Sequence, residues 1–78
     1  MIKVLNKTKS YTRRKYADYK ESVTYTFDKN ITKEHFEYFL STKGISTQRN
    51  PEEWYETYYT VSGSRNIWVV TKVDPYTD

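Results

Sequence analysis

The order of apolar patterns along this chain predicts an α+β fold. The expected form is a small antiparallel sheet of three to four strands with one helix packed on a face, in the order β-β-α-β-β. Three observations carry this. Val23, Tyr25 and Phe27 alternate with Ser22, Thr24 and Thr26, the period of a strand with one buried face. Phe36, Phe39 and Leu40 then recur at spacings of three and four, which places them on one side of a helix. Two further strand-like runs, 57–61 and 67–73, flank Ser62-Gly63-Ser64-Arg65-Asn66, a connector with the turn chemistry and length of a hairpin. A helix between two strand pairs packs across the apolar face of the sheet they form.

The chain has 78 residues and no cysteine, so a single domain spanning 1–78 must hold together by packing, without disulfides or thiolate metal ligands. Apolar residues make up 36% of the chain and aromatic ones 18%. Rings therefore supply half the apolar content, and each can bury about 150–250 Å². With only two Gly and two Pro and nearly balanced charge, the composition is the reverse of a disordered one. No apolar run approaches the length of a membrane-spanning helix. The opening Met1–Leu5 is followed by polar residues, unlike a signal peptide, so a cytoplasmic protein is expected.

Ile2-Lys3-Val4-Leu5 reads as a short first strand, and Asn6–Ser10 as a turn. Tyr11–Lys20 fits either an extended arm or a helical turn. Tyr16 and Tyr19 stand three apart as on a helix, whereas Tyr11, Arg13 and Lys15 would share one side of a strand. Glu21–Asp28 is the half-buried strand, turned by Asp28-Lys29-Asn30. A helix follows at about 33–43. Thr32 fits its N-cap, Ile31 and Phe36 its hydrophobic staple, and Glu34 the positive end of its dipole. Gly44 suits the left-handed position beyond its end, with Ile45 folding back onto Leu40 in a Schellman ending. Ser46–Asn50 is a polar link. Asn50, Pro51 and Glu53 have the pattern of a helix start, with room for a single turn carrying Trp54 and Tyr55. In the last strand Ile67, Val69, Thr71 and Val73 share one side, and Trp68 and Val70 the other. Two partly apolar sides suit a central strand or one whose second face meets a partner. Pro75 ends it, and the tail of about 75–78 is expected to be loose.

Charge is divided unevenly. The first 20 residues carry seven Lys or Arg and one acid, a balance of +6, while the other 58 carry six basic residues and nine acids, a balance of −3. The basic arm at about 6–20 is interleaved with tyrosines, so Lys9, Tyr11, Arg13, Arg14, Lys15, Tyr16 and Tyr19 are candidate partner-binding residues. Basic side chains can contact phosphates and tyrosines can stack on unpaired bases. The same residue types are favoured at protein interfaces, and a solvated basic face is the plainest reading. Glu52, Glu53 and Glu56 form an acidic patch beside Trp54 and Tyr55, which join the partner-binding candidates. That patch is a solvated turn or half of a second interface, and it could draw the basic arm of a second copy into a homodimer. Trp54, Tyr55, Tyr58, Tyr59 and Trp68 exceed what one sheet face can bury, so at least two of them are expected at the surface.

His35, the only histidine, adjoins Glu34 and Glu37, but neighbours so spaced form no ready dyad with it. It reads as a surface or capping residue. Two glycines and no cysteine leave no phosphate loop, cysteine nucleophile or zinc spacing, so no enzyme, cofactor or metal is expected.

In size and in its cysteine-free, Lys/Tyr/Asn-rich composition the whole chain resembles the small proteins with which bacteriophages and other mobile elements bind and block host machinery. That resemblance implies a non-enzymatic inhibitor acting on a protein partner or host complex by occupying its surface. The alternative is sequence-independent binding of RNA or single-stranded DNA through the basic Tyr-rich segment. A small ribonuclease depending on His35 is third.

Overall fold

Among the described residues four antiparallel strands and one helix follow in the predicted order: β1 Val4–Arg13, β2 Tyr19–Phe27, α1 Lys33–Ser41, β3 Tyr58–Ser64 and β4 Ile67–Asp74. The computed structural model describes residues 2–13, 19–47, 52–53 and 56–75. The strands lie side by side as β1-β2-β4-β3. β4 is therefore internal, which accounts for its two partly apolar sides. Trp68 and Val70 are buried beneath α1, and Val73 is buried on the opposite face beside Lys20 and Tyr58.

α1 forms where the sequence signals agree. The Thr32 hydroxyl accepts from the His35 backbone N–H at 3.1 Å. Ile31 and Phe36 are both buried, as a staple requires. At the other end Gly44 has φ +80°, and the Gly44 and Ile45 N–H groups donate to Ser41 O and Leu40 O, each at 3.0 Å. These are the paired bonds of a Schellman ending. The regular helix is two residues shorter than expected, because residues 42–44 already belong to that closing turn.

The core is ring against ring. Tyr25 and Phe27 on β2 meet Phe36 and Phe39 at centroid distances of 5.3–5.8 Å, mostly edge to face, and Phe36 reaches Trp68 at 5.7 Å. Such pairs add about 0.5–1.5 kcal/mol each beyond the area they bury. Phe27, Phe36 and Leu40 are sealed completely from solvent.

The β3–β4 hairpin turns in two residues, Arg65 and Asn66, since Ser64 already pairs with Ile67. Arg65 takes a positive φ of 57°, and its carbonyl accepts from the Ile31 N–H and the Trp68 indole N–H, both at 3.0 Å. Asn66 pairs with Phe27 in both directions, accepting from its N–H at 2.8 Å and donating to its carbonyl at 3.1 Å. The turn is thereby tied to β2 and to the entry of α1.

The start of the chain departs from expectation. Residues 6–10 are not a turn, residues 11–13 are extended as one of the two readings of Tyr11–Lys20 has them, residues 19 and 20 open β2, and residues 6–13 are not a free arm. They form β1, which extends the short strand expected at 2–5 and pairs with β2 from Asn6↔Thr26 to Arg13↔Tyr19. A register shift between Val4 and Asn6 marks Leu5 as a bulge, and its side chain is 61% exposed. The physical reason is local: β2 would otherwise leave a row of backbone groups unpaired, and β1 satisfies them without burying side chains of its own.

Candidate partner-binding surface

β1 is a ten-residue strand in which every side chain from Val4 to Thr12 is exposed. Its substantial contacts are all with β2. It is an outrigger on the sheet, held by the backbone ladder. Cross-strand pairing places Lys7, Lys9 and Tyr11 on the α1 side with Tyr25, Val23 and Glu21, and Asn6, Thr8, Ser10 and Thr12 on the other.

The length of the elements decides what remains open. Nine helical residues reach about 14 Å at 1.5 Å per residue. Nine strand residues reach about 30 Å. α1 therefore covers the end of the sheet bearing Tyr25, Phe27 and Trp68 and runs out before the end bearing Tyr11, Tyr19 and Glu21. The structure measures 41 × 23 × 18 Å.

At that end the Lys9 ammonium lies 3.1 Å from the Glu21 carboxylate and 5.8 Å from the centre of the Tyr11 ring. The hydrogen bond and charge of Glu21, with a smaller contribution from Tyr11, hold Lys9 above its ordinary pKa of 10.5. Tyr11, 58% exposed, sits 6.2 Å from Tyr19 with the rings tilted by 31°. The Lys7 ammonium stands 5.7 Å from the centre of the Tyr25 ring. Next to Glu21 a depression of about 200 Å³ has an apolar floor of Val23 and Val70, with Tyr59 and Lys72 at its sides. The result is a strip of cations and tyrosine rings beside a shallow apolar hollow.

Of the predicted site residues, Lys9, Tyr11 and Tyr19 are brought together here, and Arg13 closes β1 opposite Tyr19. Arg14, Lys15, Tyr16, Trp54 and Tyr55 lie outside the described residues, as does the tail at 76–78. Lys7, one of the basic residues able to contact phosphates, stands outside the partner-binding set that the sequence singles out. The signal was present, since Lys7-Thr8-Lys9-Ser10-Tyr11-Thr12 alternates with period two and matches the hydroxyl alternation of β2. It is a strand pattern written in cations and hydroxyls, without an apolar face to reveal it. Of the five crowded rings, Trp68 is buried and Tyr58 and Tyr59 are half-buried.

Elsewhere, Glu52 and Glu53 are exposed. The Glu56 N–H donates to Glu53 O at 3.1 Å and the Glu56 carboxylate accepts from the Glu52 N–H at 3.2 Å, so part of this acidic patch is engaged in its own turn. His35 is exposed. A cleft of about 500 Å³ beside α1 is lined by Glu34, Glu37 and Tyr38, and the Thr47 hydroxyl donates to Glu37 across it at 2.9 Å. Among the described residues no three His, Asp or Glu side chains gather as metal ligands, and no helix is long and apolar enough to cross a membrane. No family model matches the chain, and comparison with curated proteins and with solved structures finds no similar protein.

Proposed function

We propose that this chain is a non-enzymatic binding protein that acts by occupying an acidic surface of a larger partner, in the manner of a small blocking inhibitor. One observation carries the reading: β1 exposes every described side chain, buries none, and sets Lys7 and Lys9 beside Tyr11 on one face. A strand so placed adds little to the core, and its exposed side chains can serve a contact. Tyr offers large rigid contact area at small entropic loss, and cations at a rim speed encounter with an acidic partner. Occupancy needs affinity alone, so the reading requires no reacting groups.

A second reading has its own observation. Tyr11 and Tyr19 form adjacent rings on a sheet face flanked by lysines, an arrangement on which unpaired bases can stack at about 1–3 kcal/mol each. Affinity for oligonucleotides would then fall with salt at a logarithmic slope near −0.7 per phosphate neutralised.

The test is capture from lysate on the immobilised protein, with and without nuclease, beside the variant Lys7→Glu, Tyr11→Ala. A protein retained through nuclease treatment and lost by the variant supports the blocking role. Capture abolished by nuclease moves the function to single-stranded nucleic acid. Identical capture by both forms removes β1 from the contact and ends the proposal.

A further inference from the structure

The two outer edges of the sheet are managed differently. β1 carries Lys7 and Lys9 along its free edge and a bulge at Leu5, two of the devices by which natural sheets refuse further strands. β3, at the opposite edge, has neither. From Thr57 to Ser64 it holds no charge and no proline, and its register with β4 runs without a bulge. Tyr, Thr and Val favour the extended state, so this edge is shaped to accept a strand. Among the described residues no strand pairs with its outer side.

We propose that the strand it accepts is β3 of a second copy, paired antiparallel about a two-fold axis through Val61, so that two sheets join into one of eight strands. Three features select this occupant. In a two-residue hairpin the residues flanking the turn, Ser64 and Ile67, form a hydrogen-bonded pair, and bonding then alternates along the strand. Tyr59, Val61 and Gly63 thus direct their backbone groups outward, symmetrically about Val61. In that register each Tyr59 stands opposite Gly63 of the other copy, which offers no side chain of its own and has the Trp68 indole lying beside it. The charges bracketing the edge are also of opposite sign: Glu56 precedes it and Arg65 follows it. Antiparallel pairing brings each Glu56 next to the opposing Arg65, whereas parallel pairing would set like beside like. An interface of this kind is self-complementary, as a two-fold contact must be.

The open-face positions of the join are Thr60 and Ser62, both exposed and directly opposite one another across the axis. The experiment is sedimentation equilibrium of the full chain over a range of concentrations. The wild type should reach twice its 9.5 kDa mass. Thr60→Lys with Ser62→Lys places like charges across the join and should weaken association about tenfold or more, with unchanged thermal unfolding in dilute solution. Mixing that protein with the Thr60→Glu, Ser62→Glu variant should restore the doubled mass as a mixed dimer. A wild type that stays at 9.5 kDa, a larger assembly, or a dimer indifferent to the lysines overturns the proposal. Since these substitutions leave β1 intact, a failure here is separable from a failure of the partner-binding role.

Discussion

Replacing Gly63 by alanine tests whether the β3–β4 hairpin is built as described. Gly63 has φ +141°, and a Cβ there would lie 2.4 Å from Ile67 O, 2.8 Å from Trp68 Cα and 3.1 Å from the indole. Two costs follow. Holding a non-glycine residue in this backbone region costs about 1–3 kcal/mol. Relieving the overlap moves backbone rather than a pliant side-chain tip, for about 1–3 kcal/mol more. The loss of roughly 2–6 kcal/mol compares with a total stability of about 4–12 kcal/mol, taken at 0.05–0.15 kcal/mol per residue. The strain also falls on the strand that sets Trp68 beneath α1. A urea titration should therefore show a much lower midpoint, and thermal unfolding should drop by at least about 8 °C, since 1 kcal/mol moves a domain of this size by about 4–8 °C. Ser62→Ala, at an exposed neighbour, should change stability by less than about 0.5 kcal/mol. A Gly63→Ala protein within about 1 kcal/mol of wild type would refute the close approach of β3 to β4 at Gly63 and the packing derived from it.

Other perturbations probe separate parts of the molecule. Leu40→Ala empties a fully buried site and should cost about 2–5 kcal/mol, read as a shift in urea midpoint. Thr32→Ala removes the acceptor for the His35 N–H and should cost about 1 kcal/mol by the same measurement. Arg65→Gly relieves a positive φ of 57° while keeping the carbonyl that Ile31 and Trp68 use, and should raise the melting temperature by a few degrees, at about 0.5–1 kcal/mol. Glu21→Gln frees Lys9 from its ion pair, so an NMR titration should find the Lys9 pKa lowered, and affinity for an acidic partner should rise. Because Glu21 raises Lys9 above its ordinary 10.5, the pair's contribution to folding is fully present below that pH and is lost as pH climbs through the higher folded value. A Lys9 pKa unmoved by Glu21→Gln would remove the ion pair from the account.

The helix was legible almost residue by residue, because its cap, staple, apolar stripe and glycine stop are short-range devices written in adjacent positions. β2 and β4 were legible for the same reason: burial of a face imposes an alternation that survives in sequence. β3 was found short, since Ser62-Gly63-Ser64 has turn composition, yet the strand continues through it and leaves only Arg65 and Asn66 to turn. β1 departs from the sequence expectation at Asn6–Ser10, which has turn composition, while Tyr11–Arg13 take the extended one of their two readings. Asn6, Lys7, Thr8, Lys9 and Ser10 form a strand because β2 offers them a ladder, and nothing in their own hydropathy demands it. The candidate site follows the same division. Lys9, Tyr11 and Tyr19 could be singled out by charge and residue type, but their meeting on one face depends on β1 pairing with β2.

The sequence by itself determined the α+β order, the position and ends of α1, the aromatic composition of the core and the basic character of the first 20 residues. These are properties of spacing and composition, settled within a few positions along the chain. Only the tertiary structure decided that the basic segment continues as an edge strand, that β4 lies inside the sheet, and that α1 stops short of the tyrosine-bearing end. The first two depend on which backbone edges of the sheet find partners, and the third on the length of α1 set against that of the strands. Pairing of that kind is fixed by the register of whole strands against one another, and no local pattern encodes it.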